Sequence, residues 1–160
     1  MSREVRKVPA DWQHPKYTEE NEPRSGMLGR LKPLLEGYAD AAKEFMEIAV
    51  RDGLQAAIEY YGPAPNKNDY MPDWPKVQRT HYQMYETCSE GTPISPVIAS
   101  PEELAHWLAD NGASAFGGMS ATYEQWLEVA RGGWAPSAVI SNGMLESGVA
   151  ALANMKKDRG

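Results

Sequence analysis

The side chains best suited to chemistry are few, and they lie far apart along the chain. One cysteine, Cys88, and three histidines, His14, His81 and His106, make up the soft-ligand and nucleophile inventory. A Cys–His nucleophile needs the base within hydrogen-bond reach of the thiol. His81 and Cys88 fall in one strand-like run, where an odd and an even position point to opposite faces. Cys88 therefore reads as a lone thiol near a turn. Glu103 and His106 have the Glu-x-x-His spacing of a di-metal site, but such sites need matching carboxylates on other helices. Gly117-Gly118 precedes a helix and offers backbone N–H groups to an anion, yet no Walker or Rossmann spacing accompanies it. Glu86 and Glu90 flank a hairpin turn. With Glu102 or Glu103 they are the candidate carboxylates for acid–base work. An enzyme acting on a nucleotide or small molecule through Glu86, Glu90 and His106 is thus an alternative reading. The polar side chains do not converge, so no catalytic residue, metal site or cofactor is assigned.

The rings are more informative. Trp12, Tyr70, Trp74, Tyr82, Tyr85, Trp107, Trp126 and Trp134 are too many for the core of a 160-residue chain. Tyr70 and Trp74 sit in a proline-rich stretch beside an edge-type strand, and interfaces favour Tyr and Trp as anchors. Tyr70, Trp74, Tyr85 and Glu90 form the candidate partner surface. The competing reading folds this stretch down as a lid over the core.

Bulk properties bound the class. A chain of 160 residues with 42% hydrophobic and 24% charged residues suits one globular domain. A single cysteine allows no internal disulfide and no multi-cysteine zinc site, which fits a reducing compartment. The basic N-terminus has no apolar run behind it, and no stretch approaches the roughly 20 residues of a membrane span. A cytoplasmic protein without a membrane partner is expected. Net charge is −6, with the basic residues scattered apart from Arg3–Lys7 and Lys156–Arg159, two clusters read as frayed ends. Nucleic acid is a poor partner on that balance, since neutralising phosphates takes clustered Lys and Arg.

The expected fold is α+β: a small antiparallel sheet of β-hairpins packed with helices, plus an N-terminal helical region. Residues 1–26 read as an extended arm pinned by Val8, Trp12 and Tyr17, and residues 27–155 as a single domain. Within it, 27–62 is helical. Leu34, Leu35, Tyr38, Ala41, Ala42, Phe45, Ile48 and Ala49 follow the rhythm of an amphipathic helix. Gly53 interrupts that run and Gly62-Pro63 stops it. Residues 63–79 are a proline-rich aromatic loop, and 80–155 carry the hairpin and further helices. Pro93 and Pro96 demote the return strand of residues 93–98 to an edge. Ser100-Pro101-Glu102-Glu103 is a helix start with an N-cap, a proline at N1 and a capping-box glutamate. Residues 112–119 read as a flexible loop. A helix is expected over 121–131, then a strand from Trp134, a turn at Asn142-Gly143 and a last helical turn over 150–155. Residues 156–160 are a tail.

The run Tyr82-Gln83-Met84-Tyr85-Glu86-Thr87-Cys88-Ser89-Glu90-Gly91-Thr92-Pro93-Ile94-Ser95-Pro96-Val97 resembles a family of phage- and prophage-encoded proteins without an established activity. Ser100–Asp110, Ala121–Leu127 and Gly133–Val139 are similar to the same family, so the resemblance spans residues 70–149. It implies a phage-type accessory protein in the host cytoplasm that binds a host or phage protein. An inhibitor of a host defence or host enzyme fits this. So does an accessory factor in phage nucleic-acid metabolism or virion assembly.

Overall fold

A computed structural model describes residues 2–87, 91–116, 118–136, 138–141 and 144–159. The expected α+β class holds: helices accompany a small antiparallel sheet. The chain divides into two compact units, one of Met1–Lys32 with Trp74–Gly160, the other of Pro33–Asp73.

In the larger unit, β1 (Arg3–Val8), β2 (His81–Glu86), β3 (Thr92–Pro93) and β4 (Trp134–Ala135) form an antiparallel sheet in the order β3-β2-β1-β4. The arm expected at the N-terminus is therefore partly an inner strand. Arg3 to Val8 pair with Glu86 to His81 along their whole length, while Arg3 and Glu4 also pair with β4. The basic residues of this segment hide a strand's alternation. Arg3, Arg6 and Val8 are buried and Lys7 is exposed.

The return strand lies at the sheet edge, as expected, but is shorter than the 93–98 run read from sequence. β3 is two residues long, and pairing resumes only at the Tyr82–Ile98 bridge. Both faces of β2 are covered. Met84 enters a core built with Leu104, Ala105 and Leu108 of α3 (Pro101–Asp110) and Trp126 and Val129 of α4 (Tyr123–Gly132). Each such large apolar side chain contributes about 1.5–3 kcal/mol on burial. Gln83 and Tyr85 lie on the other face, as alternation along a strand requires.

Ser100 caps α3 by accepting the Glu103 N–H at 3.2 Å, but the Glu103 carboxylate takes the Ser100 hydroxyl proton rather than a backbone donor. The complete capping box belongs to α4, where Thr122 and Gln125 each accept the other's backbone N–H. Gly133 ends α4 in the left-handed region, at φ 89°, where a side chain is strained.

Within the expected 112–119 loop, Gly117 of the Gly117-Gly118 pair lies outside the described residues, and its neighbours are tied down. Phe116 and Met119 bridge, and the guanidinium of buried Arg3 donates to the Ser114 carbonyl at 2.8 Å. Arg3 also meets Glu86 at 3.7 Å. Burial lowers its pKa, and Glu86 opposes that shift.

β5 (Ala138–Ser141) and β6 (Met144–Ser147) form a separate two-stranded sheet, and Asn142-Gly143 lies outside the described residues. α5 runs from Gly148 to Arg159, replacing the expected single turn and tail. Gly148 is obligatory at its start. A Cβ there would stand 1.8 Å from the Pro136 carbonyl oxygen.

The smaller unit is a helical pair. α1 (Tyr38–Asp52) begins after Gly37, which adopts φ 82°, so the helical region expected from residue 27 starts eleven residues later. Leu34 is buried, while Leu35 is extended and pairs with Tyr70. Gly53 breaks the run as expected, and α2 (Leu54–Tyr61) ends at Gly62. α2 folds back on α1: the Tyr61 hydroxyl donates to the Glu44 carboxylate at 2.7 Å. That bond, near an anion, pushes the Tyr61 pKa up to about 12.

Candidate functional site

Two regions have the character of a site, and each lies within one unit. In the larger unit, the segment after β1 crosses the open face of the sheet and converges on Tyr85. Backbone bonds from Lys32 to Pro15 and from Tyr17 to Arg30 tie that segment into a short pairing. The Trp12 indole N–H donates to the Tyr85 hydroxyl at 3.2 Å. His14 Nδ1 meets the same hydroxyl at 2.9 Å, and its Nε2 faces the Lys32 carbonyl. The Tyr85 hydroxyl is also 3.1 Å from Gln83 Oε1, and the Gln83 amide donates to the Ser95 carbonyl at 2.9 Å. The Arg6 guanidinium lies 4.2 Å from the centre of the Tyr85 ring, a cation–π geometry.

Partner chemistry assigns the protons. A carbonyl only accepts, so His14 Nε2 carries hydrogen. Burial, the largest influence, and the nearby Arg6 cation both lower the His14 pKa, while the Lys32 carbonyl opposes them. The Tyr85 hydroxyl has one proton and donates it to Gln83 Oε1 at 3.1 Å while accepting from the Trp12 indole, and His14 Nδ1 lies within hydrogen-bond distance of the same oxygen. Both ring nitrogens are then committed to the protein. The cluster resembles an acid–base relay in composition, but its geometry makes it a clasp holding residues 12–14 to β2.

Above it is an open groove of about 470 Å3, with Trp12, His14, Pro93, Pro96, Val97 and Trp107 among its walls.

The second region is the surface of the helical pair. Among the residues whose burial is described, seven of the ten exposed large hydrophobic side chains belong to Pro33–Asp73: Leu35, Met46, Val50, Leu54, Ile58, Tyr60 and Tyr61. Met46 and Val50 are four residues apart on α1, and Leu54 and Ile58 four apart on α2, so each pair shares a helix flank. Val50 is 81% exposed and Leu54 61%. Inside, only Leu34, Phe45 and Ala57 are buried among the unit's hydrophobic residues.

The residues proposed from sequence scatter. Tyr85 is 0% exposed and cannot anchor a partner; the clasp and Arg6 bury a ring that the strand pattern alone left at the surface. Tyr70 is half-buried in the smaller unit, edge-on to Tyr38 at 5.4 Å. Trp74 is half-buried in the larger unit, edge-on to Trp12 at 4.8 Å. The two rings expected to act together therefore pack within different units. Glu90 and Cys88 lie outside the described residues.

Of the acid–base candidates, Glu86 is engaged by Arg3, and His106 stacks on Tyr123 with ring centres 3.9 Å apart. Among the described residues no group of three His, Cys, Asp or Glu side chains is placed to hold a metal. Among them, too, no helix is long and apolar enough to cross a membrane. Sequence reasoning missed His14 because its partners are 18 and 71 residues away. It missed the α1–α2 face because Met46 and Val50 lie off the Leu34 to Ala49 stripe that the helical rhythm picks out.

No protein-family model matches the chain, and no curated protein and no solved structure is similar to it.

Proposed function

We propose that this chain is a non-catalytic protein-binding protein of the phage accessory kind, acting in a host cytoplasm, and that the α1–α2 face is its contact surface. One observation carries the reading. Pro33–Asp73 exposes seven large hydrophobic side chains while burying three hydrophobic residues. A soluble surface rarely gathers so much apolar area without a partner to cover it. A unit this small is also marginal on its own core, so a partner that buries the face stabilises the unit as well. The phage setting rests on the resemblance of residues 70–149 alone. The face itself is independent of that resemblance.

The test is co-purification from cells that naturally make the chain, using wild type, a Val50→Glu/Leu54→Glu double variant and Val77→Glu. Val77 is an equally exposed hydrophobic residue, but in the larger unit. One protein is expected in stoichiometric yield with wild type and Val77→Glu and to be lost with the double variant. Equal recovery with all three, or no co-purifying protein with wild type, contradicts the proposal.

A further inference from the structure

The apolar face is set in a strongly acidic unit. Pro33–Asp73 contains eight acidic and three basic residues, a net charge of −5. The whole chain carries −6, so nearly all of its charge imbalance sits in this one unit. The two cations on the helices are neutralised locally. Lys43 lies 3.9 Å from Glu47, and Arg51 lies 2.8 Å from Asp52.

Charge decides between the possible occupants of the face. A second copy would bring another −5 against the first, and like charges facing each other across an interface are costly. An anionic lipid surface and a nucleic acid are repelled for the same reason. What complements exposed apolar side chains in a unit of net charge −5 is an apolar stripe accompanied by Lys and Arg. The spacing agrees: Met46 and Val50 on α1, and Leu54 and Ile58 on α2, lie four residues apart, the interval at which amphipathic helices present their anchors.

We infer that the α1–α2 face binds a basic amphipathic helix of another protein. Its apolar stripe covers Met46, Val50, Leu54 and Ile58, and its cations meet the unit's carboxylates. The inference rests on the proposed protein-binding role and adds the chemistry of the partner.

Two variants of the full-length chain separate the inference from the role beneath it. Val50→Glu/Leu54→Glu removes the apolar contact, while Glu47→Lys/Glu59→Lys keeps it and changes the unit's charge from −5 to −1. The probe is a synthetic amphipathic peptide of leucine and lysine about five turns long, compared with the same peptide carrying glutamate for lysine. Binding is followed by backbone NMR shifts.

The lysine peptide is expected to bind wild type one to one, shifting signals of residues 38–61. Its affinity should fall about tenfold or more from low to high salt. Both variants should weaken it by at least about tenfold, equivalent to about 1.4 kcal/mol, and the glutamate peptide should not bind. Equal binding of both peptides, or undiminished binding to the Glu47→Lys/Glu59→Lys protein, overturns the inference. So does a shift pattern centred outside residues 38–61, or self-association of wild type through this face. If the protein co-purifying from cells is lost with the apolar variant but retained with the charge variant, the protein-binding role stands and the basic-helix inference falls. If neither variant loses it, both fall.

Discussion

The two units solve the same problem in opposite ways. The larger unit covers both faces of a four-stranded sheet, one with α3 and α4, the other with the segment pinned by Trp12 and His14. Even its buried arginines are satisfied, since Arg3 reaches Ser114 and Glu86, and Arg6 reaches Glu4. The smaller unit has helices with sound boundaries, set by Gly37, Gly53 and Gly62, but it leaves large side chains in water. A segment with clear helix signals and an uncovered apolar face differs from one with a complete core in where its stability comes from. Helices this short draw most of their stability from packing. The larger unit finds that packing within itself, whereas the smaller one buries only Leu34, Phe45 and Ala57 among its hydrophobic residues.

The sharpest way to break the contrast is to damage the larger unit where it has no slack. Gly148→Ala drives a Cβ into the Pro136 carbonyl and should cost about 3 kcal/mol or more. Arg3→Met strands the Ser114 carbonyl and Glu86 and should cost about 2–3 kcal/mol. Denaturant midpoints of the larger unit report both, and unchanged midpoints would mean that it is not tightly packed there.

A smaller effect comes from pH. The folded state holds His14 with a lowered pKa, chiefly through burial, so the unfolded chain binds its proton first. Stability from this group is present above the ordinary histidine value of about 6.5. It is lost as pH falls from there towards the lower folded value. Wild type should therefore lose more stability than His14→Gln between about pH 7.5 and pH 5. Parallel losses would remove His14 from the clasp.

The smallest effect belongs to the exposed face. Val50→Glu should change the stability of the free chain by no more than about 0.5 kcal/mol, since the side chain is 81% exposed. A cost several times larger would show that the face is already packed against something.

Local chemistry was readable in the sequence; long-range chemistry was not. The helix start at Ser100-Pro101, the break at Gly53 and the edge strand at Pro93 all depend on neighbours a few residues apart. β1 was hidden because its inward positions are arginines, whose burial makes sense only once Ser114 and the Tyr85 ring are brought to them. The Tyr85 clasp depends on contacts spanning more than 70 residues. The α1–α2 periodicity was visible. Periodicity, however, identifies an apolar flank without saying whether the chain itself covers it. Of the Leu34 to Ala49 stripe, Leu34 and Phe45 are buried and Leu35 is exposed, while the exposed Met46 and Val50 lie off it.

Amide hydrogen exchange tests the contrast most directly. In the free chain, amides of residues 38–61 should exchange well before those of β1 and β2, and adding the basic amphipathic peptide should slow the helical amides alone. Helical amides protected as strongly as the strand amides without any peptide, or left unchanged by it, would contradict the account.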